Sequence, residues 1–370
     1  MKLVFEKRDP VPMSYRVVSP VLAVLLAFLL GTVFLTASGF SPMKVYAAMF
    51  SGAFGDWYGI SETIVTAIPL MLCGLAVALS AKMLLWNVGA EGQFHMGAWG
   101  AAAVALSMPD APAWQVLPLM VLAGVAAGAA WALLAAVPRA FVGVSETITT
   151  LMLNYVAIYW IEYLVHGPWR DPKSLNFPLS APFSDAARLP MFGYTRIHWG
   201  LIFAIVAAIA IDLALGRTKW GYEVKIIGES PRAARYAGMS IERNIIITMA
   251  ISGALAGLAG MAEVSAIAGR MTRQLSPGYG YSAIIVAWLG KLNPYGVLLV
   301  SILFGGLLVG GYSAQFLGVS AASVNMLQGL MLFCVLATEA LGRYKVRLVP
   351  TGAKGASQGG HGEGEAEANG

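Results

Sequence analysis

Charge is what this sequence has least of. Only 12% of its 370 residues are Asp, Glu, Lys or Arg, against about 25% in a soluble domain. Hydrophobic residues make up 58% and mean hydropathy is +0.70. No soluble fold of this length hides so much apolar surface, so the bilayer is the solvent. Cysteine is nearly absent. Cys73 and Cys334 both lie within apolar runs, which excludes a disulfide framework and a thiolate metal cluster. His95, His166, His198 and His361 share no metal-ligand spacing. The phosphate-cradling pattern G-x-x-x-x-G-K-[ST] is missing, as are an Arg-rich voltage-sensing helix and a filter-like backbone run. The expectation is a chain with no cofactor of its own. If ATP drives it, ATP and Mg are bound by a separate ATPase. The net charge of +5 lies in loops and ends, which suits topology and anionic lipid and argues against a nucleic-acid partner.

Apolar runs fill most of what remains. Residues 21–38 are long enough to span, and an uncleaved first span fits better than a signal peptide because the rest of the chain is also membrane. Residues 41–59 are amphipathic and aromatic and suit the outer interface. Further spans read at 60–81, 87–107, 114–137, 145–165 and 197–215, then at 245–267, a half-length 281–290, a return at 297–311, and 321–341. The fold class is therefore all-α: a polytopic transmembrane helical bundle of about ten spans, six before and four after a basic loop at 217–243. Basic ends place both termini in the cytoplasm. Residues 1–18 read as a cytoplasmic N-terminal segment, 19–347 as the transmembrane domain and 348–370 as a disordered cytoplasmic tail rich in Gly and Glu. One segment opposes the positive-inside pattern: 166–196, on the outside, holds Arg170, Lys173, Arg188 and Arg196. A weak internal similarity links CGLAVALSAK, GAEG and GAW (residues 73–99) to SGALAGLAG, PGYG and VAW (residues 252–288). The first copy runs inward and the second outward, which makes an inverted repeat. Chance likeness between Ala/Gly-rich helices is the competing reading.

The basic loop encodes a short helix with both end signals. Ser230 caps it, Pro231 opens it and Gly238 closes it in the left-handed conformation. Ala233, Ala234 and Ala237 make a smooth face edged by Arg232 and Arg235. Two readings stand: a knob that docks into a soluble partner, or a solvated loop helix.

Polar residues inside the apolar runs are the other candidates. Asn87, Glu91, Gln93 and His95 cluster where the third span begins, as a functional site by default or as a solvated helix cap. Glu146, Thr150 and Asn154 follow one another at spacings of four and share a helix face, which either lines a path or bonds a neighbouring helix. Glu263 stands alone in its span, and Asn325 with Gln328 lies in the last one; each reads as packing more readily than as pathway.

PLMLCGLAVALSAK, NVGAEGQFHMGAWGAA, SETITTLMLNYVA, GESPRAARYAGMS and SPGYGYSAIIVAWLGKLNP resemble the permease subunits of bacterial ABC importers. The group is the ribose and branched-chain amino-acid permease family, in its nucleoside and simple-sugar branch, and the resemblance covers residues 15–347. It implies a multi-pass protein of the bacterial cytoplasmic (inner) membrane that is not itself an enzyme. The implied partners are an ABC ATPase subunit, a second homologous permease subunit or a second copy, and an extracytoplasmic substrate-binding protein. It also implies that the loop helix couples to the ATPase through Ser230, Pro231, Arg232, Ala233, Ala234, Arg235 and Gly238. Ala233-Ala234 followed by Gly238 is similar to the EAA–G pattern of importer permeases, with Arg232 where that pattern has Glu. Asn87, Glu91, Gln93, Glu146, Thr150 and Asn154 are then expected along the translocation pathway. An ion- or proton-coupled secondary transporter of a small polar solute is the alternative, and a scaffolding membrane protein a third class.

Overall fold

A computed structural model describes residues 2–7, 13–175 and 177–349. Among the described residues thirteen α-helices run in order: α1 Met13–Ala37, α2 Pro42–Phe54, α3 Trp57–Ala81, α4 Ala90–Ser107, α5 Ala113–Val142, α6 Glu146–His166, α7 Gly200–Arg217, α8 Lys219–Glu229, α9 Pro231–Tyr236, α10 Ile241–Glu263, α11 Tyr279–Leu289, α12 Pro294–Gln315 and α13 Ala321–Arg343. Among the described residues, seven helices are long and apolar enough to cross a membrane, and two shorter apolar helices, Val21–Ala37 and Tyr279–Leu289, join them. Each of the ten expected spans has a helical counterpart. The basic loop differs from expectation: it holds two helices, because Val224 and Ile227 give residues 219–229 a buried apolar face.

The chain divides into two compact units, Leu30–Leu330 and the paired ends Met1–Leu29 with Met331–Gly370. In the second unit the all-α expectation has one exception. Strand β1 (Lys2–Lys7) pairs antiparallel with β2 (Tyr344–Val349), from Lys2 opposite Val349 to Lys7 opposite Tyr344. LVF and VRLV are rich in the β-branched and aromatic residues that favour strands, a preference masked in the sequence by the flanking charges. The expected tail lies outside the described residues from residue 350 onward.

The larger unit is knit by small residues. Where α4, α5 and α10 cross, Gly97 meets Gly257, and Gly128 meets both Gly253 and Gly257, backbone against backbone. Lipid tails are as apolar as Leu, so helices in a bilayer gain little from burying large side chains, and close backbone approach through glycine holds them instead. α3 is buried along most of its length and packs against α10, α11 and α12. Ala76 meets Ser252 and Met83 meets Thr248, so α3 and α10 run in opposite directions.

Two helices start late. α4 begins only after the irregular segment 82–89, and α11 after 269–278. The chain breaks at Leu84 (φ 56°), and its return to α12 passes through Lys291 (φ 56°) and Leu292 (φ 54°). Left-handed backbone at such residues costs about 1–2 kcal/mol each. Asn293 then caps α12, its Oδ1 accepting from the N–H groups of Tyr295 (3.0 Å) and Gly296 (3.2 Å).

Arg196 and Arg273, in the segments before α7 and α11, have partners. Arg196 Nη1 lies 2.9 Å from Glu62 Oε2 on α3, and Arg273 Nη1 lies 3.1 Å from Glu162 Oε1 on α6. Ser265 on the α10 extension donates to Ala187 O (2.7 Å) and accepts from Leu189 N (3.1 Å). The segment before α7 is thus pinned onto the helix ends, and Arg196 has a local structural task there.

Gly257→Leu places a side chain where backbone already sits. Overpacking of this kind costs roughly 1–3 kcal/mol. The expected result is a lower thermal-unfolding midpoint in detergent, while Gly216→Ala, at a position with open space around it, stays at the wild-type value.

Candidate functional site: a buried polar knot and a capped loop helix

All six polar residues expected along a pathway are buried, and the structure gathers them around the two late-starting helices. Asn87 and Gln93 exchange amide hydrogen bonds, Nδ2 to Oε1 and Nε2 to Oδ1, both 3.0 Å. Asn87 Nδ2 also donates to Ser252 Oγ (2.9 Å), which donates to Ala76 O (2.7 Å). One asparagine thereby ties the 82–89 segment to α3, α4 and α10. Asn154 on α6 does the same from the other side. Its Oδ1 accepts from Gly92 N (2.8 Å), and its Nδ2 donates to Val88 O (2.9 Å) and to Tyr281 Oη (3.3 Å).

Glu91 joins the two broken helices. Its Oε2 accepts from Gly280 N at 2.7 Å, so a carboxylate in the first turn of α4 satisfies a free N–H in the first turn of α11. The N-terminal ends of both helices carry partial positive charge, and a carboxylate between them is well placed. Gly280 is a glycine because its neighbour is the backbone of Ala90 and Glu91. His95 Nδ1 lies 2.8 Å from Glu91 O and 3.8 Å from Glu91 Oε1. The two Gly-rich turns matched in the sequence, residues 89–92 and 277–280, therefore touch. α3 and α10, which open the two matched stretches, run in opposite directions.

Glu146 sits at the edge of the knot. Arg139 Nε is 3.0 Å from its Oε2, and Trp86 N donates to its Oε1 (3.2 Å). Thr150 is buried against Gly89, with its hydroxyl donating to Thr147 O (3.2 Å). Ser252, Tyr281, Gly280 and Arg139 complete the arrangement and were not singled out from sequence. Ser252 and Gly280 stand in the second repeat copy, opposite the polar turn of the first, which was the signal available.

The loop helix has the ends its sequence encodes. Ser230 Oγ accepts from Ala233 N (3.3 Å), Pro231 is the first helical residue, and Gly238 has φ 74°. Met239 N donates to Ala234 O (3.0 Å) and Gly238 N to Arg235 O (3.1 Å), the paired closure of a left-handed glycine stop. Pro231, Arg232, Arg235 and Tyr236 line an open recess of about 410 Å³. One expectation is corrected here. Ala234 is 0% exposed, so it seats α9 on its own chain and cannot offer a face to a partner. The outward residues are Pro231, Arg232, Ala233, Arg235 and Tyr236. Beneath, α8 lays Gly228 against the carbonyl of Lys82, which closes α3. Burial, and then the Lys225 charge, lower the Lys82 pKa. Asn244 of α10 donates to Glu223 Oε2 of α8 (2.9 Å). The loop helices are thus fastened to both α3 and α10.

Among the described residues no group of three His, Cys, Asp or Glu side chains is placed to hold a metal ion. Residues 59–336 match the family described as the permease component of branched-chain amino acid transport systems. The chain is similar to a glucose ABC transporter permease protein of Haloferax volcanii, 38% identical over 358 residues and covering 94% of both chains. It is similar to a guanosine ABC transporter permease protein of Bacillus subtilis, 33% identical over 331 residues, covering 87% of this chain and 93% of that one. A nucleoside ABC transporter permease protein of Lactococcus lactis is 30% identical over 329 residues, covering 86% and 90%.

Asn87→Leu and Asn154→Leu each leave several buried polar groups unpaired, at about 1–3 kcal/mol per group. Both variants are expected to unfold at lower temperature in detergent, while Thr149→Ala, at a half-buried position of α6 with a single hydrogen bond to Ser145 O, changes far less.

Proposed function

This chain belongs to the permease-component family of branched-chain amino acid transport systems, and we propose that it is the subunit through which an ATP-driven importer moves nucleosides or simple sugars. That it is a membrane transport subunit follows from the family. The substrate class rests on the relatives, whose names give guanosine, nucleosides and glucose. ATP and Mg bind a separate ABC ATPase, and the complex is completed by a second permease subunit, homologous or identical, and an extracytoplasmic binding protein. The membrane is the bacterial cytoplasmic membrane, with both termini inside.

The observation that carries this reading is the loop helix. ATP-driven closure of soluble subunits has to reach the spans mechanically, which needs a rigid element that is held from behind and open in front. α9 is capped at both ends, seated through Ala234, and presents Arg232, Arg235 and Tyr236 outward. α8 relays a push to the end of α3 and the start of α10, the two helices that frame the polar knot. A secondary transporter has no need for a capped, basic, outward knob, and we rank it second. Ser230, Pro231 and Gly238 shape the helix, whereas Arg232, Ala233 and Arg235 meet the ATPase. In the membrane the six knot residues act as the hinge of the pathway: they hold the two broken helices together and let them move as one. Selectivity lies mainly in the binding protein, because a permease that held substrate tightly would release it slowly.

Gly238→Val forbids the left-handed stop, and Arg232→Glu with Arg235→Glu reverses the charge offered to the partner. In both variants the chain is expected to insert normally, since no span is altered. Stimulation of ATP hydrolysis by binding protein plus substrate is expected to fall at least tenfold in the purified complex. Normal ATPase co-purification with normal stimulation in both would make α9 a solvated loop helix. Opposite-sided labelling of Tyr194→Cys and Tyr236→Cys by an impermeant thiol reagent is the expected check on orientation.

A further inference from the structure

The uncovered face of α6 exposes Ile148, Met152 and Val156 and, beside them, a row of tyrosines. Tyr155, Tyr159 and Tyr163 follow at spacings of four, so they stand in one row, and they are 50%, 63% and 60% exposed. Among the described residues none of the three hydroxyls has a hydrogen-bond partner. α6 has 21 residues, about 31 Å at 1.5 Å per residue, close to the thickness of a bilayer core. Tyr155 is nine residues in, about 14 Å, which is mid-membrane. Interfacial tyrosine belts account for Tyr163 near the end of the helix but not for Tyr155 and Tyr159. A phenol at that depth without an acceptor is costly.

The other uncovered helix faces are different. On α7 the exposed large residues from Ile202 to Leu213 are Ile202, Ile205, Val206, Ile209 and Leu213, all aliphatic. The middle of α12 exposes Leu299, Ile302 and Leu303. Aliphatic faces of this kind suit lipid tails. Among the described residues, the α6 row alone pairs aromatic surface with hydroxyls through the middle of a long helix. It also adjoins the polar knot: Asn154, next in sequence to Tyr155, bonds Tyr281, itself partly exposed.

We propose that Tyr155, Tyr159 and Tyr163 line the water-filled translocation path and bind the passing solute, by stacking on its flat or ring face and by hydrogen bonds to its hydroxyls. The inference rests on the transport reading above and adds the residues that contact substrate and the chemistry they select. That chemistry, a broad apolar face bordered by hydroxyls, is shared by nucleosides and pyranose sugars. A row at four-residue spacing offers successive stacking stations about 6 Å apart, none of them enclosing. This suits a step-wise path with weak binding at each station.

The test uses the complete reconstituted complex carrying Tyr155→Cys or Tyr159→Cys, with Ile209→Cys as the lipid-facing comparison. Native Cys73 and Cys334 are buried. The expected result is modification by a charged, membrane-impermeant methanethiosulfonate at least tenfold faster at 155 and 159 than at 209. Either a nucleoside or a hexose should slow that reaction, and the one that does identifies the solute class. Reaction no faster than at Ile209→Cys overturns the proposal and assigns the row to lipid. A spontaneous disulfide between two copies at position 159 also overturns it and assigns the row to packing against the second subunit. Fast modification that neither solute slows overturns the stacking role. Uptake by the wild-type complex is measured in parallel. Loss of that signal alone tells against the transport reading, while the modification rates still decide whether the row faces water. Tyr159→Phe and Tyr159→Leu supply a second readout: the half-saturating solute concentration for uptake is expected to rise several-fold more in Leu than in Phe, and equal values would contradict stacking.

Discussion

Everything in the larger unit depends on how two interrupted helices end inside a medium that cannot hydrate backbone. α4 and α11 each begin after a stretch of irregular chain, and their first turns leave N–H groups unpaired. In hydrocarbon such groups are tolerated only where protein covers them. Glu91 supplies the acceptor from one helix to the other at 2.7 Å, and Asn154 supplies one to Gly92 at 2.8 Å. The glycine contacts among α4, α5 and α10 bring the backbones close enough for these short polar side chains to reach. Break, knot and glycine seam are therefore one device: the seam fixes the distance and the knot satisfies the break.

Much of this was legible in the sequence because hydropathy and length dictate a span almost independently of context. The ten helical segments, the short eleven-residue α11 and the caps of α9 all follow from local signals. Burial of Asn87, Glu91, Gln93, Glu146, Thr150 and Asn154 follows from the cost of polar groups in lipid. Their partners did not, since Ser252 and Tyr281 are ordinary residues until the fold brings them 165 positions back to Asn87 and 127 positions back to Asn154. Ala234 shows the limit of a helix-face argument on a six-residue helix. Three alanines read as one smooth face, yet the chain uses one of them to seat itself and leaves Ala233 and Ala237 outside. The end-to-end strand pair was hidden for a different reason, because strand pairing is non-local and neither half carries a turn signal.

The loop helices α8 and α9 meet the long helices in few places. α8 touches the end of α3 through Gly228 and the start of α10 through Glu223 and Asn244. Both helices then reach the knot within a few turns, at Ala76 and Ser252. From α9, packed backbone and hydrogen bonds thus run without interruption to the helices that carry the polar knot.

The central claim is that Glu91 seals the junction between the two broken helices. Hydrogen–deuterium exchange across peptides covering residues 88–94 and 277–284 of the intact complex tests it most directly. The account predicts strong protection of both peptides in the wild type, and exchange at least tenfold faster in both, together, for Glu91→Ala. Unchanged protection in that variant, or a change confined to the peptide that carries the substitution, would contradict it.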